Sequence, residues 1–184
     1  FKHNDYEDLE KKFLKNKRVG RNIIAIEGVY SMGGDLAPFE IFEIANKYES
    51  ILIVDEAHSS GVIGENLLGI YDYYKIKPTK FHIKMGTLGK AYGSYGAYIL
   101  ASKQIINFLI NRAKPIIYST APSLFDTALA LESLNFIIEN KQTLKLFQIE
   151  QEEVYRGEAI EKFKEDLLKL TDKRSMSHSS WCWS

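Results

Sequence analysis

Five polar side chains follow three predicted strands at the points where those strands end. Asp55 comes directly after the apolar run ILIV, and His58 lies three residues later. Ser31 follows the first strand, and Thr87 and Lys90 lie in the glycine-rich sequence GTLGKAYG beyond the third. Ligands of open parallel α/β sheets bind outside the carboxyl ends of the strands. The positions therefore predict that these side chains share one site.

A carboxylate, an imidazole, a hydroxyl beside glycines and a lysine are the groups that pyridoxal phosphate (PLP) requires of a protein. Asp55 would pair with the pyridine nitrogen and keep it protonated, and His58 could hydrogen-bond the phenolic oxygen. The Thr87 hydroxyl and the backbone N–H groups of the glycine turn suit a phosphate. Lys90 can form a Schiff base and then move a proton. As a set, these residue types favour PLP chemistry.

Each residue taken alone also has an ordinary structural interpretation. A strand-terminal Asp such as Asp55 often forms a turn or caps a helix. A lone His more often makes a structural hydrogen bond than takes part in catalysis, and a Lys in a glycine-rich loop is usually solvated. The prediction therefore depends on the combination.

Competing motifs do not match the spacing. GTLGKAYG lacks the gap and the following Ser or Thr of the P-loop GxxxxGK[ST], and GKAYGSYG is not the dinucleotide fingerprint GxGxxG. DEAH at 55–58 spells a helicase box, but the chain has no P-loop upstream of it, so a helicase segment is a remote alternative. A metal site needs more converging His, Cys and carboxylate groups than the sequence offers, and we expect none.

The elements that must position these residues alternate along the chain as in an α/β fold. Short apolar runs without polar alternation are typical of a parallel sheet covered on both faces. Strands are predicted at 23–26, 51–54, 81–85 and 97–101. Helices are predicted at 6–14, after Pro38 as the first helical residue, at 103–112 and 123–139, and in a long charged stretch at 141–170. We therefore expect a mostly parallel sheet with helices on both faces.

Composition narrows the function classes. The chain has 24 Lys+Arg and 24 Asp+Glu, so its zero net charge gives no reason to expect a nucleic acid or an anionic membrane as partner. No apolar run reaches the ~18 residues of a membrane-spanning helix. The single cysteine, Cys182, cannot form an internal disulfide. These features favour a cytoplasmic globular protein.

Four segments together resemble a known family. EGVYSMGGDLAP, ILIVDEAHSSGVIGE, GTLGKAYGSYGAY and PIIYSTAPS, in this order and spacing, look like the α-oxoamine synthases. These are PLP enzymes of fold type I, the aspartate-aminotransferase fold. The resemblance covers residues 1–139 and fades in the long helix. It implies a decarboxylative condensation of an amino acid with an acyl thioester.

The resemblance also implies a role for individual residues. Lys90 would be the Schiff-base lysine, Asp55 the partner of the pyridine nitrogen and His58 the contact of the phenolic oxygen. The other implied cofactor-binding residues are hydroxyl side chains: Ser31, Thr87, Ser119 and Thr120. Thr87 would bind the phosphate, and the last two would reach the phosphate held by the other subunit of a homodimer.

The resemblance covers only part of the family's length. Residues 1–139 would form the second part of the PLP-binding large domain, 140–173 a linking helix toward a small domain, and 174–184 an atypical tail that contains both tryptophans and Cys182. We expect this chain to be an incomplete fragment that is inactive by itself. A non-catalytic, truncated remnant is the alternative from another functional class.

Overall fold

The computed structural model describes residues 1–15 and 20–154. Contacts divide the chain into two compact units, Phe1–Glu139 and Asn140–Ser184. No helix of the described part is both long enough and apolar enough to cross a membrane. The elements are α1 Tyr6–Lys15, β1 Ile23–Glu27, α2 Phe39–Lys47, β2 Ile51–Asp55, α3 Ile70–Tyr73, β3 His82–Thr87, β4 Ala97–Ala101, α4 Lys103–Arg112, α5 Lys114–Ile117 and α6 Leu124–Val154.

The four strands form one sheet in the order β1-β2-β3-β4. The first three strands are parallel, and β4 runs antiparallel to β3. The direction changes there because β3 and β4 are joined by the short segment 88–96, whereas a parallel connection needs a crossover of a dozen or more residues. The mostly parallel α/β fold predicted from the sequence is confirmed.

One face of the sheet packs against α2. Leu52 and Val54 of β2 are fully buried and meet Ile41 and Phe42 of α2 in the main hydrophobic core. The intervening residues of β1 and β2 lie on the other face, where Ile23 is 64% exposed. In β1 and β2, burial thus alternates along the apolar runs 23–26 and 51–54.

The helix boundaries follow local chemistry. The Asp5 side chain caps α1 by accepting the N–H of Asp8 at 2.8 Å. Pro38 is the residue before α2 rather than its first helical residue, because its ψ of 142° is extended. The backbone of α6 is non-helical at Asn140, where the sequence places a break between two helical stretches. The rest of the predicted linking helix and the tail lie outside the described residues.

A buried carboxylate, Glu56, ties together the segment that follows β2. Its Oε2 accepts the Ser59 hydroxyl and, at 2.9 Å, the backbone N–H of Ile70 at the start of α3. Its Oε1 lies 3.2 Å from Nζ of Lys84 on β3, and Lys84 also donates to the Leu68 carbonyl at 2.6 Å. This ion pair compensates the charge of a lysine that lies between the apolar residues Ile83 and Met85 of β3.

We predict that the stability of the fold requires Glu56 and Lys84 to be present together. Lys84→Met would leave the fully buried Glu56 without a compensating charge, and we expect the free energy of unfolding to fall by roughly 3–5 kcal/mol. The double variant Lys84→Met/Glu56→Gln should lose less than Lys84→Met alone, because no charge is then buried. Denaturant titration of the three proteins measures both differences.

The matched control is the exposed pair formed by Lys75 and Glu65, 3.3 Å apart. Lys75→Met should change stability little, since exposed ion pairs contribute little. Equal losses for Lys84→Met and Lys75→Met would contradict the anchoring role.

A second buried polar group, His82, occupies the first position of β3. Its Nε2 donates to Oδ1 of Asn46 at 3.1 Å, and its ring packs against Phe42 and Tyr71 with centroids 6.5 and 5.7 Å away. Nδ1 is buried and has no hydrogen-bond partner among the described residues. Burial lowers the pKa of His82, because the surrounding core disfavours the charged ring.

The lowered pKa of His82 predicts acid sensitivity. The unfolded chain binds this proton near pH ~6.5 while the folded chain resists it, so the free energy of unfolding falls as the pH drops below about 6.5. We expect Tm to decrease between about pH 7.5 and about 5.5, and the decrease to be smaller in His82→Gln. His3→Gln, which changes an exposed histidine, should not make this decrease of Tm smaller. An unchanged slope in His82→Gln would show that other groups cause the acid effect.

Candidate active site

The structure brings Lys90 and His58 into direct contact, with Nζ 2.7 Å from Nε2. His58 lies in the turn that follows β2, and Lys90 lies in the segment between β3 and β4. Because β2 and β3 are parallel neighbours, the segments that leave their carboxyl ends are adjacent. His58 is half-buried and Lys90 is exposed, so the amine can meet a ligand.

Asp55 is the last residue of β2, paired in register with Glu27 of β1 and Met85 of β3. Its Oδ1 accepts the backbone N–H of Ala57 at 2.8 Å, which fixes the start of the turn that carries His58. Strand alternation places Asp55 on the face of the sheet opposite to Leu52. The half-buried carboxylate therefore lies at the carboxyl edge, where the turn begins.

Thr87 ends β3 and organises the glycine-rich turn. Its hydroxyl donates to the Gly96 carbonyl at 3.3 Å and accepts the backbone N–H of Gly89 at 3.1 Å. Further backbone hydrogen bonds within the turn join Gly93 to Lys90 and Ser94 to Leu88. In this geometry the Thr87 O–H faces the turn, while its oxygen keeps an acceptor position for other donors.

The remaining predicted residues lie in exposed loops. The backbone N–H of Ser31, after β1, donates to Oε2 of Glu27 at 3.3 Å. Ser119 and Thr120 lie between α5 and α6, and the Ser119 hydroxyl donates to the carbonyl of Pro115 in its own turn. Among the described residues, no hydrogen bond or ion pair joins Ser31, Ser119 or Thr120 to Lys90 or His58.

Sequence reasoning missed a hydroxyl cluster behind the Lys90–His58 pair. Oγ of Ser60 lies 2.7 Å from the hydroxyl of Tyr92 and 3.0 Å from that of Tyr98. Burial raises the pKa of Tyr98 to about 12, so this phenol is neutral at ordinary pH. Nothing in the residue types marks the cluster, because it joins residues that are far apart in sequence.

An apolar cavity of about 390 Å³ lies beside this cluster. It is lined by Ser60, Leu68, Lys84, Leu88, Tyr92, Tyr98, Leu100, Ala130, Leu131 and Leu134. Asp55, His58 and Lys90 do not line it. The cavity is therefore lined by the Ser60–Tyr92 contact and not by the Lys90–His58 contact.

Comparison with known proteins shows the family to which this chain is similar. Residues 1–163 match the model of the aminotransferase class I and II family. An 8-amino-7-oxononanoate synthase from Helicobacter pylori strain J99 is 51% identical over 146 residues, which are 79% of this chain and 39% of that protein. The chain thus spans less than half of the length of this curated relative.

Solved structures agree with the sequence comparison. The 8-amino-7-oxononanoate synthase from Francisella tularensis has a TM-score of 0.67 and 31% identity, over 80% of this chain and 42% of that one. A structure of serine palmitoyltransferase with a PLP internal aldimine has a TM-score of 0.70 and 28% identity, over 79% of this chain and 37% of that one. Because the match to the family model covers most of this chain, the chain belongs to the aminotransferase class I and II family.

Proposed function

We propose that this chain is the PLP-binding part of an 8-amino-7-oxononanoate synthase. Such an enzyme is an acyltransferase that condenses L-alanine with a pimeloyl thioester, carried by CoA or a carrier protein, and releases CO2 in biotin synthesis. The observation that carries the proposal is the Lys90–His58 contact beside the strand-terminal Asp55, in a chain 51% identical to a protein of that name. Residues 1–139 would supply the second part of the large domain.

The residues present fit PLP by their chemistry. Lys90 offers an exposed primary amine for the aldehyde, and Asp55 offers a carboxylate that can pair with a protonated ring nitrogen. His58 accepts from Lys90 through Nε2, which leaves its Nδ1 protonated and able to donate to an oxygen. Thr87 would contribute its remaining acceptor position and the N–H groups of the turn it holds.

PLP, when bound, draws electrons away from the α-carbon of the amino acid attached to it. Asp55 would keep the ring nitrogen protonated, and the Ala57 N–H would hold that carboxylate in place. Lys90 would take the proton from the α-carbon and return it at the end of the reaction. His58 would orient Nζ of Lys90 between these transfers, since it already hydrogen-bonds that atom.

We also propose that the complete enzyme is a homodimer in which Ser119 and Thr120 approach the partner's cofactor. The region around them exposes large apolar side chains, including Tyr118, Leu124 and Phe125. Several large apolar side chains exposed within a few residues of each other are consistent with a protein interface. Burying this surface against a second subunit would bring the two hydroxyls near a site that their own subunit does not place them in.

We predict that PLP attaches to Lys90. Incubation of the full chain with PLP, followed by borohydride reduction and mass spectrometry, should locate the adduct on the peptide that contains residue 90. Lys90→Ala should lose this adduct, and in a complete enzyme it should lower kcat by at least about 100-fold, because the base and the attachment point are both removed.

Lys77→Ala, at another exposed loop lysine, should leave the adduct unchanged. An adduct of wild-type yield in Lys90→Ala, or one spread over many surface lysines, would contradict the assignment of Lys90.

We predict that the amino acid is alanine. A chimera in which residues 1–139 replace the matching segment of the Helicobacter pylori synthase supplies the parts that this chain does not span. With pimeloyl thioester, kcat/KM for L-alanine should exceed the values for glycine and L-serine by at least about tenfold, which is the discrimination that one small group can give. A preference for glycine or serine would instead favour a sister enzyme, namely glycine C-acetyltransferase, 5-aminolevulinate synthase or serine palmitoyltransferase.

A further inference from the structure

The segments that carry His58 and Lys90 are joined by two hydrogen bonds at matching positions. Lys90 contacts His58, and two residues further along each segment Tyr92 contacts Ser60, with 2.7 Å between the paired atoms in both cases. The first contact is at the surface, whereas Ser60 and Tyr92 are only 5% and 6% exposed. A buried contact therefore lies two residues along each segment from the exposed one.

The backbones approach closely at the same place. A Cβ on Gly61 would overlap the Cβ of Ala91, and Gly61 has a φ of +83°, which side chains rarely adopt. The residues after His58 therefore lie against the residues after Lys90 with no space between them. The two hydrogen-bonded pairs, 58 with 90 and 60 with 92, have the same sequence offset, and the approach of Gly61 to Ala91 packs the two segments together beside them.

We propose that Tyr92 is a positioning residue that acts through Ser60. Its hydroxyl holds the Lys90 segment in register with the His58 segment, and so sets the distance between Nζ of Lys90 and Nε2 of His58. The inference rests on the proposed function for what this pair does in catalysis, but the positioning itself is a property of the chain without its cofactor.

The chemistry of the cluster supports this role. Ser60 has one O–H donor and two acceptor positions, and it meets both Tyr92 and Tyr98. Tyr98 is on β4, so the cluster also fixes the two segments to the sheet. Without the Tyr92 hydroxyl, Ser60 could still pair with Tyr98, but the link to the Lys90 segment would be lost. Exposed Lys90 has no other described hydrogen bond to hold its side chain against His58.

The test compares Tyr92→Phe with Tyr95→Phe in the full chain. Both changes remove one phenolic oxygen from the same segment, but Tyr95 is 74% exposed. In the chain without cofactor, ¹⁵N NMR of the His58 ring should show Tyr92→Phe moving the ring resonances in the direction produced by Lys90→Met. Tyr95→Phe should leave them at the wild-type positions. Ser60→Ala should reproduce the effect of Tyr92→Phe, and Ser60→Thr, which keeps the hydroxyl, should not.

The second readout is the pH profile of PLP trapping on Lys90 by borohydride. The profile should shift in Tyr92→Phe and remain unchanged in Tyr95→Phe, because only the former alters the surroundings of the amine. A lowered Tm with wild-type ring resonances and a wild-type profile would show that Tyr92 is merely structural and would overturn the inference.

The NMR measurement and the PLP trapping distinguish a failure of this inference from a failure of the proposed function on which it rests. If the wild-type chain traps no PLP on Lys90, the proposed function fails, while the ring resonances still decide whether Tyr92 positions the pair. If Tyr92→Phe does not fold, the His58 ring resonances of Ser60→Ala and Ser60→Thr are compared instead. These variants test the same hydrogen bond by changing Ser60 rather than Tyr92.

Discussion

The arrangement of the site depends on the burial of one carboxylate. Glu56 is fully buried, whereas Asp55 and His58 on either side of it are half-buried. A buried carboxylate is tolerated only with full compensation. The compensation comes from the Ser59 hydroxyl, the N–H of Ile70 and the ammonium of Lys84. Because these groups belong to three different segments, the turn after β2 has one well-defined position.

This constraint acts on the reactive residues through the backbone. The N–H of Glu56 bonds the Met85 carbonyl of β3, and the Glu56 carbonyl accepts from Ser59 and Ser60. His58 is inside that turn, so its ring leaves from a backbone that is fixed on both sides. Gly69 approaches the Glu56 carboxylate so closely that a Cβ there would overlap it. The anchoring carboxylate is thus fully buried, whereas Asp55 and His58 are half-buried and Lys90 is exposed.

Much of this fold can be predicted from the sequence because its signals are local. The apolar runs at 23–26 and 51–54 lie within β1 and β2, and the predicted bounds of α4 agree with the structure. α3 and α5 were not predicted, since four residues are too few to show helical periodicity. The meeting of Lys90 and His58 follows from the rule that parallel strands share a carboxyl edge. The roles of these residues in catalysis stay predictions.

The contacts that set the distances are invisible to such signals. Lys84 places a charge between the apolar residues Ile83 and Met85, and only the structure shows that it pairs with Glu56. Neither residue type indicates its partner in advance. Ser60 and Tyr92 are ordinary loop residues by their sequence, and only the structure shows their hydrogen bond and the close approach at Gly61 beside it. A motif specifies which groups meet, whereas tertiary packing between distant residues specifies how closely they meet. Since proton transfer requires hydrogen-bond distances, the role predicted for Lys90 depends on the packing around its segment as well as on its amine.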